Sequence, residues 1–149
     1  MRAVVQLVRD CRVRADGLCV GSLDRGLLVY VGISAKDTGL DIEYLSTKVV
    51  NLRIFPDGNN KMNLSLPEAG EGIIVVSQFT LYGDVRRGRR PSYDEAAPPG
   101  VAEKLYEAFL ARLRALGFPP EAGKFQADME VSYVNRGPVT ILVDSQKKF

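Results

Sequence analysis

Gly26-Leu27-Leu28-Val29-Tyr30-Val31-Gly32-Ile33 is a continuous apolar run, and a run of this length without charge reads as the central strand of a sheet. Upstream, Arg2 to Val8 forms a first strand, and Ala15-Asp16-Gly17 is a turn leading into Leu18 to Gly21. Downstream, Ile42, Leu45, Val49 and Leu52 recur at spacings of 3, 4 and 3, which predicts a helix from about Asp37 or Leu40 to Leu52. Pro56-Asp57-Gly58-Asn59-Asn60 is a strong turn, and short strands follow at Met62 to Leu66 and Gly72 to Leu81. A second helix opens at Pro98-Pro99 and closes at Gly117. Its Ala102, Leu105, Tyr106, Phe109, Leu113 and Leu116 make one apolar stripe for the core. Two last strands, Ala127 to Val134 and Val139 to Val143, flank Asn135-Arg136-Gly137-Pro138. Runs of strands with two helices inserted predict an α+β fold: a mixed, mostly antiparallel sheet or barrel-like core, covered on one side by two main helices.

A chain of 149 residues is long enough for one well-buried core and short for two, so residues 1–149 are expected to form a single domain. With 46% hydrophobic and 26% charged residues it has the composition of an ordinary soluble globular protein. The longest uncharged apolar stretch, Gly26 to Ala35, is half of the roughly 20 residues a bilayer span needs. Residues 1–10 have neither a signal-peptide core nor a small-residue cleavage pattern, and a cytoplasmic location is expected. Cys11 and Cys19 are too few for a disulfide scaffold and lack the close pairing of a zinc or redox motif.

The apolar run Ile73 to Val76 feeds directly into Ser77-Gln78-Phe79-Thr80-Leu81, so a buried strand ends in two hydroxyls and an amide. The ordinary reading is that Ser77 and Thr80 bond neighbouring backbone; the alternative is that the strand delivers them to a site. The chain has no histidine, which removes the commonest general base and the commonest metal ligand. Any catalysis must run on hydroxyls, amides and backbone dipoles. No cofactor and no metal is expected, although carboxylates alone can hold magnesium.

Charge is unevenly spread. Arg86-Arg87-Gly88-Arg89-Arg90 carries four positive charges in a chain whose net charge is +2, so the remainder is net negative. Gly88 and Pro91 mark the segment as loop. Arg86, Arg87, Arg89 and Arg90 either form a solvated loop or meet phosphates, for which guanidinium forks are suited. Their place beside the Ser77–Thr80 segment favours a nucleic-acid or nucleotide substrate. In Asn135-Arg136-Gly137-Pro138-Val139-Thr140, Pro138 cannot donate to a sheet ladder and marks an edge or junction. By themselves these residues read as a hairpin turn with a trans bond, because cis occurs in only about 5–6% of X-Pro bonds.

Ser77-Gln78-Phe79-Thr80-Leu81 together with Asn135-x-Gly137-Pro138-Val139-Thr140 resembles the two signature motifs of the D-aminoacyl-tRNA deacylases. Arg53-Ile54-Phe55, Lys61-Met62-Asn63-Leu64, Gly88-x-Arg90-Pro91-Ser92 and Ala127-Asp128-Met129 resemble the family in the same order, so the likeness covers essentially the whole chain. It implies an enzyme that cleaves the ester joining a D-amino acid, or mischarged glycine, to the terminal ribose of tRNA. It also implies a homodimer in which Gly137 and Pro138 of one subunit, joined by a cis peptide, enter the pocket of the other. Their carbonyls would occupy the space of an L side chain, a rejection by overlap rather than by lost attraction. An isologous two-fold dimer follows, with tRNA as partner and neither membrane nor DNA.

An aminoacyl ester is already activated, so positioning and oxyanion stabilisation can supply much of the acceleration. The N–H groups around Gln78 and Phe79 are the candidates for the oxyanion hole. Thr80 is the obvious hydroxyl nucleophile, yet no base is at hand, and it ranks as a positioning group. In the family the vicinal ribose hydroxyl is thought to assist. Met129, by family position, lines the entrance; packing within a strand is the equal alternative. Two departures stand out. Leu7 replaces a family arginine that helps fix the Gly-Pro motif, and Arg136 stands where an acidic residue is common; Arg136 or Arg9 is the candidate substitute. Two rival readings remain, a tRNA- or nucleotide-binding module without catalysis and a hydrolase of another small activated ester using Thr80 as covalent nucleophile.

Overall fold

The computed structural model describes residues 1–149. The central strand is longer than its apolar run: β2 spans Leu18–Gly32, so the two segments expected at Leu18 and Gly26 are one element. It lies between β1 (Arg2–Ala15), antiparallel, and β5 (Gly72–Ser77), parallel. With β6 (Glu121–Ala122) and β7 (Met129–Asp144) outside them, the sheet order is β6-β5-β2-β1-β7. The sheet is mixed and open; of the two forms expected, sheet and barrel, the sheet is the one that forms. A separate hairpin of β3 (Phe55–Pro56) and β4 (Met62–Leu64) carries the expected turn at Pro56 to Asn60.

The first helix, α1, spans Gly39–Val50, and Thr38 caps it in a box with Asp41. A four-residue α2 (Leu66–Ala69) ends the segment expected to be strand. The Ser65–Glu68 capping box was the signal for it. The long helix α3 covers Pro99–Ala115 and buries Tyr106, Phe109, Leu110 and Leu113. Helices α1 and α3 cover one face of the sheet over a core that includes Val5, Leu27, Val29, Leu45, Phe55 and Val75. Its largest polar anchor is Tyr106, whose hydroxyl donates to the Val75 carbonyl at 3.0 Å. The other face holds a smaller cluster of Val8, Cys11, Val13, Leu28, Ile74 and Val76. Cys11 is buried there, which pushes its thiol up to about 11 despite neighbouring Arg12, while Cys19 is exposed. No helix is long and apolar enough to cross a membrane.

Three strand limits differ from those the pattern predicts. β1 continues past Val8 to Ala15 because Cys11, Val13 and Ala15 remain buried, while a register shift between Arg9 and Arg12 resets the alternation that the charges obscure. β5 stops at Ser77 instead of Leu81, since β2, its partner, ends at Gly32. Beyond that point Phe79–Tyr82 coil into a 3-10 turn. The third difference is at β7. Gln6 pairs with Thr140 and Val8 with Asn135, so residues 136–139 stand opposite Leu7 alone. Both halves of β7 run antiparallel to the same strand, and the Gly-Pro segment is a bulge within one strand rather than a hairpin turn. The Gly137–Pro138 bond is cis, contrary to the trans bond that the residues alone favour.

After β7 the chain folds back over the start of α1. The Asp41 carboxylate accepts hydrogen bonds from Ser145 (2.7 Å), Gln146 (2.6 Å) and both the backbone and hydroxyl of Thr38 (2.8 and 3.0 Å). Burial alone would raise its pKa, but these bonds outweigh it and hold the group at about 2. A folded pKa below the unfolded value means stability that is complete above pH 4 and lost as pH falls through 2. Its size is on the order of 2 kcal/mol. Asp41→Asn is therefore expected to weaken the fold by about that much at pH 7 and far less at pH 2 in urea titrations; an equal deficit at both would contradict the assignment.

Candidate active site

Ser77 is the last residue of β5 and pairs with Val31 of β2. The next residue leaves the sheet while still bonded to it, its N–H donating to the Val31 carbonyl at 2.8 Å. Gln78 then turns the chain (φ −146, ψ 82) into the 3-10 segment. A side chain at residue 32 would crowd this turn. A Cβ on Gly32 would lie 3.0 Å from the Gln78 carbonyl oxygen and 3.0 Å from the Leu81 Cβ, so glycine lets the turn settle against the end of β2.

The first i→i−3 bond of the turn runs from the Leu81 N–H to the Gln78 carbonyl at 3.3 Å. The N–H groups of Phe79 and Thr80 come before it and have no partner inside the turn. Phe79 is 59% exposed and meets Tyr93 edge-on, with ring centroids 5.0 Å apart. The Thr80 hydroxyl is taken up by the side-chain amide of Gln78.

Beside this segment is a cavity of about 570 Å³. Val76, Ser77, Gln78 and Phe79 form one wall, and Phe125 to Met129 form another. Ala97, just before α3, and Pro99 and Ala102 in its first turn also line it. Ala97 is brought in by a 2.8 Å bond from its N–H to the Ile33 carbonyl. The lining is mostly apolar, and its polar side chains are those of Ser77, Gln78, Gln126 and Asp128. Such a cavity suits a small organic group held by a few directed hydrogen bonds.

Of the residues singled out in the sequence, Ser77, Gln78, Phe79 and Met129 line this cavity, whereas Thr80 sits in the adjoining turn with its hydroxyl engaged. Asn135, Gly137 and Pro138 are elsewhere. The amide of Asn135 donates to the Thr140 hydroxyl at 3.1 Å and its oxygen accepts from the Val139 N–H at 3.3 Å, closing the neck of the bulge. Gln6 donates to the same hydroxyl at 3.0 Å. The bulge lies two strands beyond β2 and four residues along the sheet from the Val31–Ser77 level. Neither Gly137 nor Pro138 lines the cavity of its own chain.

The basic loop is closed by a two-bond bridge between Asp84 and Ser92 (2.7 and 3.0 Å). Arg86 donates to both Asp84 oxygens, at 2.9 and 2.6 Å, and its hydrogen bonds hold that carboxyl at about 2. Arg87, Arg89 and Arg90 are exposed and make no ion pair within the molecule.

The two candidate guanidiniums have different partners. Arg9 pairs with exposed Asp10. Arg136 reaches Glu71, immediately before β5, through one nitrogen at 3.1 and 2.8 Å, and both side chains are only 18% exposed. Sequence reasoning did not single out Glu71, because one acid among 18 carries no signal. Phe125, Gln126 and the start of α3 were also missed as cavity residues; they converge only through the β5–β6 pairing and the return to Ile33.

A family model described as D-Tyr-tRNA(Tyr) deacylase matches residues 4–144. A curated D-aminoacyl-tRNA deacylase of Desulfatibacillum aliphaticivorans is 57% identical over 98% of this chain and all of its own length. One of Thermosipho africanus is 52% identical over the full length of both. The chain belongs to this deacylase family. Among solved structures, one titled c-Myc DNA Unwinding Element Binding Protein superposes with a TM-score of 0.92 at 39% identity, covering 97% of this chain and 98% of that one. A probable eukaryotic D-amino acid tRNA deacylase shares the fold, with a TM-score of 0.82 at 19% identity, covering 95% and 97%.

The Arg136–Glu71 pair lends itself to a thermodynamic test. Removing the arginine leaves a largely buried carboxylate alone, which costs more than the pair itself is worth. Arg136→Met is expected to lower stability by about 2 kcal/mol, and Arg136→Met/Glu71→Gln by clearly less. Equal losses in urea melts of the single and double variants would mean that the two side chains are uncoupled.

Proposed function

We propose that this chain hydrolyses the ester between a D-amino acid, or mischarged glycine, and the terminal ribose of tRNA, releasing free amino acid and tRNA. The observation that carries the reading is that Ser77-Gln78-Phe79 forms a wall of a mostly apolar cavity and is followed at once by unpartnered turn N–H groups. Water attacks the ester carbonyl, the N–H groups of Phe79 and Thr80 receive the developing oxyanion, and the ribose oxygen leaves with a proton. Ser77 and the Gln78 amide orient the substrate. The bond from Gln78 to the Thr80 hydroxyl supports a positioning role for Thr80 rather than attack. With no histidine in the chain, the substrate's own vicinal ribose hydroxyl supplies the missing proton handling.

The separation of the two motifs supports a second part of the reading. Gly137 and Pro138 do not line their own cavity, and they act instead in the cavity of a second copy, as an isologous dimer allows. The outer edge of the 16-residue β7 is unpaired and carries exposed Val134 and Leu142, a surface that a second copy would cover. There the Gly-Pro carbonyls exclude an L side chain, and the Arg136–Glu71 pair keeps them in place. Met129 borders the entrance. Arg86 is tied to Asp84, which leaves Arg87, Arg89 and Arg90 free for tRNA phosphates. The same loop would serve a DNA-binding role of the kind named for one solved relative, and duplex DNA is the natural competitor control.

Deacylation of matched D- and L-tyrosyl-tRNA, with a 2′-deoxy terminal adenosine as control, tests the reading. Rapid loss of the D form alone, abolished by the deoxy substitution, is expected. Stability of all three with tight tRNA binding would instead indicate a binding module, and a trapped acyl-enzyme would indicate Thr80 as nucleophile. In the same assay Arg136→Ala is expected to release L-tyrosine measurably; unchanged discrimination would remove Arg136 from the account. Replacing Arg87, Arg89 and Arg90 together by Ala should raise KM and flatten its salt dependence, leaving kcat near wild type; an unchanged salt slope would count against phosphate contact.

A further inference from the structure

We infer that Arg2 is a positioning residue for the Ser77–Thr80 turn; this rests on the deacylase reading above. Arg2 opens β1, pairing with Gly32 on one side and Asp144 on the other. It therefore stands at the end of the sheet where β2 stops and the 3-10 turn begins. Its guanidinium, 20% exposed, is shared out among three elements. Nε donates to the Asp144 carboxylate at 3.1 Å and Nη1 to the Leu81 carbonyl at 3.0 Å. The planar group lies 4.4 Å from the centre of the buried Tyr82 ring, and Nη2 is 3.8 Å from Glu95.

Two of these contacts are with the turn itself. A 3-10 segment of four residues has poor internal bonding and unsatisfied carbonyls at its end. Here the bond from the Gly83 N–H satisfies the Thr80 carbonyl at 2.9 Å, and Arg2 satisfies the next carbonyl, that of Leu81. The stacked Tyr82 ring adds a second point of attachment to the same guanidinium. With both fixed from behind, the turn cannot roll about the Gln78 bond to Val31, and the N–H groups of Phe79 and Thr80 keep one direction. An oxyanion donor acts in the transition state far more than in the ground state. Loosening the turn should therefore reduce kcat and leave KM nearly alone.

A purely structural role makes a different forecast. Asp144 is 4% exposed and its other oxygen accepts the Gln146 N–H at 2.6 Å. Removing Arg2 alone strands this carboxylate, so a single variant could lose activity through instability. Arg2→Met/Asp144→Asn removes both charges and restores balance while leaving the Leu81 carbonyl without its donor. Arg2→Lys keeps one donor within reach of that carbonyl but gives up the planar stack on Tyr82.

The experiment is steady-state deacylation of D-tyrosyl-tRNA by wild type, Arg2→Met, Arg2→Lys and the double variant, with thermal unfolding of each. The double variant is expected to recover thermal stability over Arg2→Met, yet to show kcat at least ten-fold below wild type with KM within two-fold. Arg2→Lys should regain part of that kcat. A double variant with wild-type kcat, or a defect confined to KM, overturns the inference while leaving the deacylase reading intact. A wild-type protein that deacylates nothing overturns both.

Discussion

The parallel pairing of β2 with β5 is the constraint on which the rest of the molecule depends. Its register begins at Gly26 opposite Gly72 and ends at Val31 opposite Ser77. At the first end the two backbones nearly touch: a Cβ on Gly26, whose φ is +148, would lie 1.9 Å from the Gly72 carbonyl oxygen. Only glycine satisfies that approach and that conformation together. A one-residue slip would turn Ser77 and the whole apolar set of β5 to opposite faces of the sheet. With the register fixed, Ser77 comes to the end of the sheet, Gln78 makes its last bond, and the chain has to leave the plane. The cavity and the turn are consequences of where β2 stops.

With no histidine in the chain, ester hydrolysis here draws on groups other than an imidazole base. The features of this site agree with that. Its ionisable lining is limited to Asp128, the Thr80 hydroxyl accepts from the Gln78 side-chain amide, and the Phe79 and Thr80 N–H groups have no partner inside the turn. Dipoles held in place need no reorganisation when charge develops, so the value of the site depends on how rigidly it is held. That shifts importance to residues behind the turn and around the bulge. Arg2 contacts the turn and Arg136 belongs to the bulge, each a guanidinium with restricted exposure and a carboxylate partner supplied by another strand or its edge. Leu7 is buried in the core, and the bulge opposite it carries the Arg136 guanidinium bonded to Glu71.

Much of this was legible in the residues. The central run at Gly26, the 3-4-3 spacing of α1 and the Pro-to-Gly limits of α3 gave the right elements, because periodicity and caps are local signals. The end of β5 was misplaced by four residues, since Phe79-Thr80-Leu81 has good strand propensity and only the length of β2 ends the ladder. The Asn135–Pro138 segment reads locally as a hairpin; that both flanks pair with β1 is a long-range fact with no local trace. Ser77 to Phe79 and Met129, which line the cavity, stand out in the sequence because of polar text at a strand end together with the family motifs. Arg2, Tyr82, Glu71 and Phe125 do not, since their roles exist only after distant segments meet.

The most direct test of the account is a crystal structure of the protein with a non-hydrolysable D-aminoacyl-adenosine in which an amide replaces the ester. The account predicts the carbonyl oxygen within hydrogen-bond distance of the Phe79 and Thr80 N–H groups, with Gly137 and Pro138 of a second copy beside the chiral carbon. An analogue bound with its carbonyl away from that turn, or in a cavity no second copy enters, would contradict it.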